Sequence, residues 1–372
     1  MAIQKLTISE FVTRAKALPV LDVRSPGEYS HAQVPGAYSL PLFTDEERKV
    51  VGTAYKRQSR QAAIKIGLVY FGVKMKSMVE EAERIVAGFS YVDPGQKELA
   101  TNGQQATGSI LVHCWRGGMR SAAVAWLLDL YGFKVYTLVG GYKAYRQWVR
   151  EQFEKPSTLY VLGGYTGSGK TEVLHQLRQS GEPVIDLEAL ASHKGSAFGG
   201  LGEKLQPTQE MFENLLAEAL AAATNNGALW VEDESQRIGN IKIPDGFWKQ
   251  MRNSHLFFLD IPFEERLHYL TQEYGKFDKE QLEGAITRIQ KRLGGLDAKN
   301  AVNYLREQNH KECFRILLKY YDKCYTKGLN NRERVGELLN RVTFSTIDTH
   351  SITNLLLHTK GTTTLEQTVW SK

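Results

Sequence analysis

The nine residues GGYTGSGKT, Gly163 to Thr171, restrict the fold of this chain more than any other stretch. Gly164, four intervening residues, then Gly169, Lys170 and Thr171 complete the pattern GxxxxGK(S/T). That pattern works in one context, a buried strand running into a glycine turn that opens a helix. Thr158 to Gly163 (TLYVLG) supplies the apolar run, and Glu172 to Leu177 continues with helical spacing. Gly164, Gly167 and Gly169 let backbone amides turn inward around phosphate oxygens, Lys170 adds a point charge, and the Thr171 hydroxyl is placed to reach a Mg2+ ion. Mg2+ is therefore compatible with the loop, and no tightly bound cofactor is expected.

The neighbouring segments extend this into a parallel sheet. Glu182 to Leu187 (EPVIDL), Ala228 to Glu232 (ALWVE) and His255 to Ile261 (HLFFLDI) are short apolar runs separated by helical stretches such as Thr208 to Ala223, the alternation of an α/β domain. ALWVEDE ends in acids, so Glu232, Asp233 and Glu234, with Asp186 after Val184 and Ile185, are alternative holders of metal-bound water. The metal ligand stays unassigned among them. SHKGSAFGGLGE places His193, Lys194 and Ser196 in a glycine-rich loop, and SQRIG places Gln236 and Arg237 after the acidic strand end. Each is a candidate substrate or nucleic-acid contact or an ordinary connection. From about 275 to 345 the chain reads as helical and basic, with Arg288, Lys291 and Arg292 on one helix face.

A second α/β block precedes the first. Pro19 to Val23 (PVLDV), Ser109 to His113 (SILVH) and Lys134 to Leu138 (KVYTL) read as buried strands, with helices over Ser9 to Ala17 and Met119 to Tyr131. Asp45 to Met78 reads as an inserted helical excursion made basic by Lys49, Lys56, Arg57, Arg60 and Lys65, with no catalytic role. The polar run EQFEKPS, Glu151 to Ser157, separates the blocks. The expected organisation is a domain over 1–152, a phosphate-loop domain with a helical C-terminal portion over 158–345, and a tail over 346–372. A length of 372 residues agrees with two domains.

In VHCWRGGMRS a strand ends at Cys114, Gly117 and Gly118 follow, and a helix opens near Arg120 and Ser121. Inward amides, the helix end, Arg116 and Arg120 all favour a thiolate, so the Cys114 pKa is expected to fall. Such a sulfur can carry another sulfur or a selenium atom. Cys313 and Cys324 sit in helical patterns beside Phe314, Leu317 and Tyr321 and are expected in the core. Three cysteines without a CxxC pair exclude a disulfide framework and the usual zinc spacing. No apolar run approaches the ~20 residues of a bilayer span, and MAIQKLTISEFVTRAKALPV lacks a signal-peptide pattern. A cytoplasmic protein without membrane contact is expected. The net charge of +6 is compatible with a polyanion but decides little.

LDVRSPGEYSHAQVPGA, Leu21 to Ala37, with the loop at Cys114, resembles a rhodanese domain over roughly residues 5 to 150. In that family the residues matching Asp22 and Arg24 support the active site. Rhodaneses place the loop arginine five positions after the cysteine, whereas Arg120 is six on, giving HC-x5-R, a spacing that also resembles the cysteine phosphatases. A rhodanese-like domain fused to a phosphate-loop domain is similar to the tRNA 2-selenouridine synthase family, and CWRGGMRS, GGYTGSGKT, DLEALASHKGSAFG and EDESQRIG all resemble its segments. The resemblance implies a transferase that exchanges the 2-thio group of the uridine at tRNA wobble position 34 for selenium from selenophosphate. It also implies an S-geranylated intermediate made from geranyl diphosphate. On it, Gly164, Gly167, Gly169, Lys170 and Thr171 take the diphosphate, Cys114 with Arg116 and Arg120 receives or orients selenium, and Arg288 and Arg292 meet thiolated tRNA. Other readings left open are an ATP-dependent tRNA sulfurtransferase or kinase-coupled rhodanese, an HC-x5-R phosphatase, and a phosphate loop that docks tRNA without turnover.

Overall fold

A computed structural model describes residues 3–89, 108–223 and 228–359. Contacts divide the chain into Met1–Glu151 and Gln152–Lys372.

The first unit contains β1 (Gln4–Leu6), α1 (Ile8–Ala15), β2 (Val20–Asp22), α2 (Pro26–His31), β3 (Tyr38–Ser39), α3 (Asp45–Arg57), α4 (Arg60–Gly72), α5 (Met75–Gly88), β4 (Ser109–His113), α6 (Met119–Tyr131), β5 (Lys134–Leu138) and α7 (Gly141–Glu154). Its strands form a parallel sheet ordered β1-β5-β4-β2-β3. Ile110, Leu111 and Val112 are completely buried, as a parallel strand covered on both faces requires. Local chemistry sets the helix ends. Thr7 with Glu10 and Thr44 with Glu47 form reciprocal capping boxes that start α1 and α3, and Gly132, at φ +119°, ends α6. The inserted excursion is three helices that run on to Gly88, with Met78, Val79, Ala82 and Ile85 packed into the core.

The second unit contains β6 (Leu159–Gly164), α8 (Lys170–Gln179), β7 (Val184–Ile185), α9 (Leu187–Ala191), α10 (Gln209–Ala223), β8 (Leu229–Glu232), β9 (Arg237–Ile238), β10 (Ile241–Lys242), α11 (Asp245–Arg252), β11 (His255–Asp260), α12 (Phe263–Tyr274), α13 (Lys279–Leu293), α14 (Gly295–Arg306), α15 (His310–Asn330), α16 (Val335–Leu338), β12 (Leu339–Thr343) and α17 (Thr349–Thr359). A parallel sheet ordered β12-β11-β6-β8-β7 is accompanied by the antiparallel pair β9 and β10. Helices α12 to α15 bury a second core built on Leu282, Ile286, Leu305 and Phe314. The chain is thus α/β throughout, with two parallel sheets and a helical portion late in the second unit.

Four expectations change. The strand over EPVIDL is cut to Val184–Ile185 because the Asp186 carboxylate accepts from the Ala189 amide and caps α9. The polar run at Glu151 is still helix, since α7 continues to Glu154. Residues 349–359 are no tail, because α17 buries Ile352 and Leu356 completely in the core that contains the α8 residues Val173 and Leu174; 360–372 lie outside the described residues. Cys313 is buried but Cys324 is exposed. Helix α15 packs its first half, Cys313 to Leu318, into the helical core and then runs out along an open cavity, so Cys324 has no core to enter. Among the described residues no helix is long and apolar enough to cross a membrane.

Candidate functional sites

In an open parallel sheet, ligands bind beyond the strand C-termini where the strand order reverses. The first sheet reverses between β4 and β2, so the Cys114 loop and the turn carrying Arg24 lie on neighbouring strands. Cys114 is buried with its Sγ 3.2 Å from the Ser121 hydroxyl. Burial pushes the thiol up, but the Ser121 hydroxyl and the backbone amides of Ser121, Arg116 and Gly118 outweigh it and hold the thiol below its ordinary value. The curl is tight. A Cβ added at Gly141 (φ +60°) would lie 2.3 Å from both the Cys114 carbonyl oxygen and the Gly117 nitrogen. From the start of α7, Tyr142 N–H donates to the Cys114 carbonyl at 2.8 Å and Lys143 N–H to that of Trp115 at 2.9 Å. Gly118 provides α6 with no side-chain cap, which leaves first-turn amides available to an anion.

Asp22 and Arg24 sit beneath this loop rather than on the sulfur. Arg24 Nη2 donates to Asp22 Oδ2 at 2.6 Å and to the Ala32 carbonyl at 2.7 Å. Its guanidinium lies 3.8 Å from the centroid of the Tyr142 ring, so the buried pair supports the residue that clamps Cys114. His113 is buried with Nε2 3.7 Å from Asp22 Oδ2, and burial lowers its pKa, which favours the neutral ring. The two loop arginines differ from expectation. Arg116 is exposed. Arg120 donates to Glu28 Oε2 at 2.7 Å, and Arg48 pairs with the same oxygen at 2.9 Å. Burial raises the Glu28 carboxyl, but Arg120, with help from the Ser25 amide and Arg48, brings it down to about 2. The Arg120 charge is answered by Glu28, and the thiol owes its acidity to a hydroxyl and amides.

The second sheet reverses between β6 and β8, so the phosphate loop lies beside the acidic strand end. Gly169, at φ +77°, starts α8 without a side-chain cap. Ser168 Oγ is buried and makes no hydrogen bond with a described residue, an orphan that a phosphate oxygen would satisfy. Lys170 Nζ donates to the Gly164 carbonyl at 3.1 Å. Arg266, buried, braces the loop by donating to the Thr166 carbonyl at 3.1 Å while pairing with Asp322 at 2.8 Å. Over the loop is a cavity of about 530 Å3 lined by Lys170, Thr171, Lys194, Ser196 and Arg292, with Tyr269, Tyr274, Tyr320, Tyr321 and Tyr325 among its walls.

The acids resolve into two roles. Asp233 is held by Arg332 and by the Tyr325 hydroxyl, which donates at 2.6 Å and itself accepts from Gly164 N–H at 3.2 Å. It is a strut behind the loop. Burial raises Glu188, Glu232 and Glu234; the Glu188 charge lifts the other two further, while Glu188 itself is pulled down by Lys170, pushed up by Asp186 and reaches about 7. Among the described residues no three His, Cys, Asp or Glu side chains form a metal cage.

Of the remaining candidates, His193 is not among the cavity-lining residues, and burial, then Arg288, lowers its pKa. Gln236 donates to Asp245 at 2.5 Å, Arg237 is exposed on β9, and neither lines the cavity. Arg288 donates to the Ala197 carbonyl at 2.8 Å, so it secures the glycine-rich loop instead of presenting a free cation. Ser121, Tyr142, Arg266, Glu188 and Tyr325 were missed as site residues. KYYDKCY in α15 carried a visible signal for the tyrosine wall; nothing local marks Arg266.

A family model described as the tRNA 2-selenouridine synthase AAA domain matches residues 157–342. Among relatives, the tRNA 2-selenouridine synthase of Nitrosomonas europaea is 32% identical over 367 residues, covering 84% of this chain and 90% of that protein. Those of Hydrogenovibrio crunogenus and Bdellovibrio bacteriovorus are 34% and 35% identical, covering 86% and 85% of this chain and 91% and 90% of theirs. With similarity at this level over more than four-fifths of its length, the chain belongs to the tRNA 2-selenouridine synthase family.

Proposed function

We propose that this chain replaces the sulfur of 2-thiouridine at wobble position 34 of tRNA with selenium from selenophosphate, through an S-geranylated nucleoside made from geranyl diphosphate. It is a tRNA-modifying transferase. The observation that carries the reading is the pairing, in one chain of this family, of an acidified thiol with an uncapped phosphate loop.

The chemistry assigns work to each loop. A thiocarbonyl sulfur leaves poorly. Its attack on C1 of geranyl diphosphate forms a C–S bond and breaks the C–O bond to pyrophosphate, whose departing charge is taken by the amides of Gly167 and Gly169, Lys170 and the Ser168 and Thr171 hydroxyls, the Gly164 amide being engaged by Tyr325. A selenium nucleophile then adds at C2, and the C2–S bond breaks to release geranylthiol. Cys114, with the Arg116, Gly118 and Ser121 amides, handles the selenium donor in that step. Asp233 is engaged by Arg332 and Tyr325 and so is not free to hold a metal-bound water. Lys291 and Arg292 on the exposed face of α13 are assigned to the tRNA backbone, which requires affinity to fall steeply with salt. The deciding experiment is mass spectrometry of nucleosides from thiolated tRNA treated with geranyl diphosphate and then selenophosphate. Loss of sulfur with gain of selenium is expected; ATP-dependent product or an untouched anticodon refutes the reading.

A further inference from the structure

The inserted helices of the first unit, to which the sequence lent no role, enclose a cavity of about 570 Å3 with the start of α6, well inside the range of ligand sites (~300–1,000 Å3). Leu42, Phe43, Ile64, Leu68, Phe71 and Met119 wall it. Ile64, Leu68 and Met119 are 36%, 59% and 46% exposed, so large apolar side chains stand against water at one spot, a pattern that marks a binding surface. Lys49 and Lys56 give it a basic margin; Arg48 and Arg120 also line it but are paired with Glu28, which is not itself a lining residue. Met119 and Arg120 directly precede Ser121, whose hydroxyl lies 3.2 Å from the Cys114 sulfur. Hydrocarbon walls with cationic margins suit an apolar chain joined to an anion, and the position beside the Cys114 sulfur favours a chain borne by the nucleic acid that reacts there over a free prenyl diphosphate.

We propose that this cavity seats the prenyl chain of the S-geranylated wobble nucleoside during the selenium step, with the basic margin taking the flanking phosphates. The naming of the chain as geranyl rests on the function proposed above; the preference for a hydrocarbon joined to an anion does not. Geranylthiol would then leave from a pocket opening beside the thiol loop, and the enzyme would tell an activated nucleoside from an unactivated one by the chain it bears.

The test uses the full-length protein and a tRNA anticodon stem-loop carrying either S-geranyl- or S-methyl-2-thiouridine. Gly52→Trp fills the cavity from a position where an added Cβ meets nothing within 4 Å, and Leu68→Asp charges its wall at an exposed site. Each is expected to weaken the geranyl substrate about 30-fold or more in KM for selenation, the equivalent of desolvating two or three methylene groups, while leaving the S-methyl substrate and the transfer from geranyl diphosphate unchanged. The 13C-methyl resonance of Met119 should shift with the geranyl stem-loop and not with the methyl one. Unchanged geranyl-over-methyl preference in both variants, or an unmoved Met119 signal, overturns the site. So does an effect of the variants confined to self-association in sedimentation, which would make this face an interface between copies. A wild type that binds the geranyl stem-loop at Met119 yet never installs selenium overturns the functional reading and leaves the site standing.

Discussion

Removing the Ser121 hydroxyl tests the physical basis of the thiol loop most directly. In the resting loop this hydroxyl lies 3.1 Å from the Gly118 carbonyl, to which it donates, and 3.2 Å from the Cys114 sulfur. Its one proton cannot serve both, and ionisation of Cys114 turns it toward the sulfur. A hydrogen bond to a charged group is worth about 1.5–3 kcal/mol, and the Arg116, Gly118 and Ser121 amides remain, so the lower end applies. Ser121→Ala should reduce the ionisation constant of the Cys114 thiol roughly tenfold. The assay is the pH dependence of iodoacetamide alkylation, read by mass spectrometry in a Cys324→Ser background because Cys324 is exposed. Cys313, pushed up to about 12 by burial, stays silent. For wild type, alkylation should rise with pH earlier than for an ordinary thiol, and the variant's rise should come later. A variant that matches wild type would refute the hydroxyl's part, and a wild type that titrates like a free cysteine would refute the loop's.

Leu356→Ala, at a completely buried position of α17, should cost about 2–5 kcal/mol in urea unfolding of the second unit; a neutral result would mean that α17 does not stabilise it. Arg332→Ala leaves the Asp233 carboxylate without its buried partner and should cost about 3–5 kcal/mol, with Arg332→Lys recovering part of it. Because the unfolded chain releases the Glu188 proton at the ordinary carboxylate value of 4.5 and the folded chain holds it until about 7, stability should fall as pH climbs through that window. Glu188→Gln should flatten the slope in thermal melts taken across it. An unchanged slope would count against the shared burial of the acids.

Legibility followed the range of the interactions involved. The loops at Cys114 and Gly164 were readable because glycines, a nucleophile and a lysine must be adjacent in sequence to form an amide nest, and the apolar runs before them show as strands for the same local reason. Strands β1, β3 and β12 were not readable. They are short or carry polar residues, as in Leu339–Thr343 (LNRVT), and only their pairing partners define them. Cys324 misled because helical periodicity identifies a face but not where the core under that face ends. The thiol's acidity was expected from the right loop for a partly wrong reason, since only tertiary structure brings Glu28 to Arg120, 92 positions away. Arg266, buried and polar, is invisible without the Thr166 and Asp322 oxygens it serves.

Both sheets are closed by a strand from the far side of their own unit: Gln4 aligns with Tyr136 in the first and Leu256 with Leu339 in the second. While the chain emerges from the ribosome, strand β1 must wait for most of its unit to be synthesised, and the phosphate-loop sheet keeps the outer edge of β11 bare until β12 arrives. Such distant pairings fold slowly and leave unpaired edges open to aggregation. A stalled or prematurely terminated nascent chain lacking its last few dozen residues would carry an intact phosphate-loop motif on an incomplete scaffold.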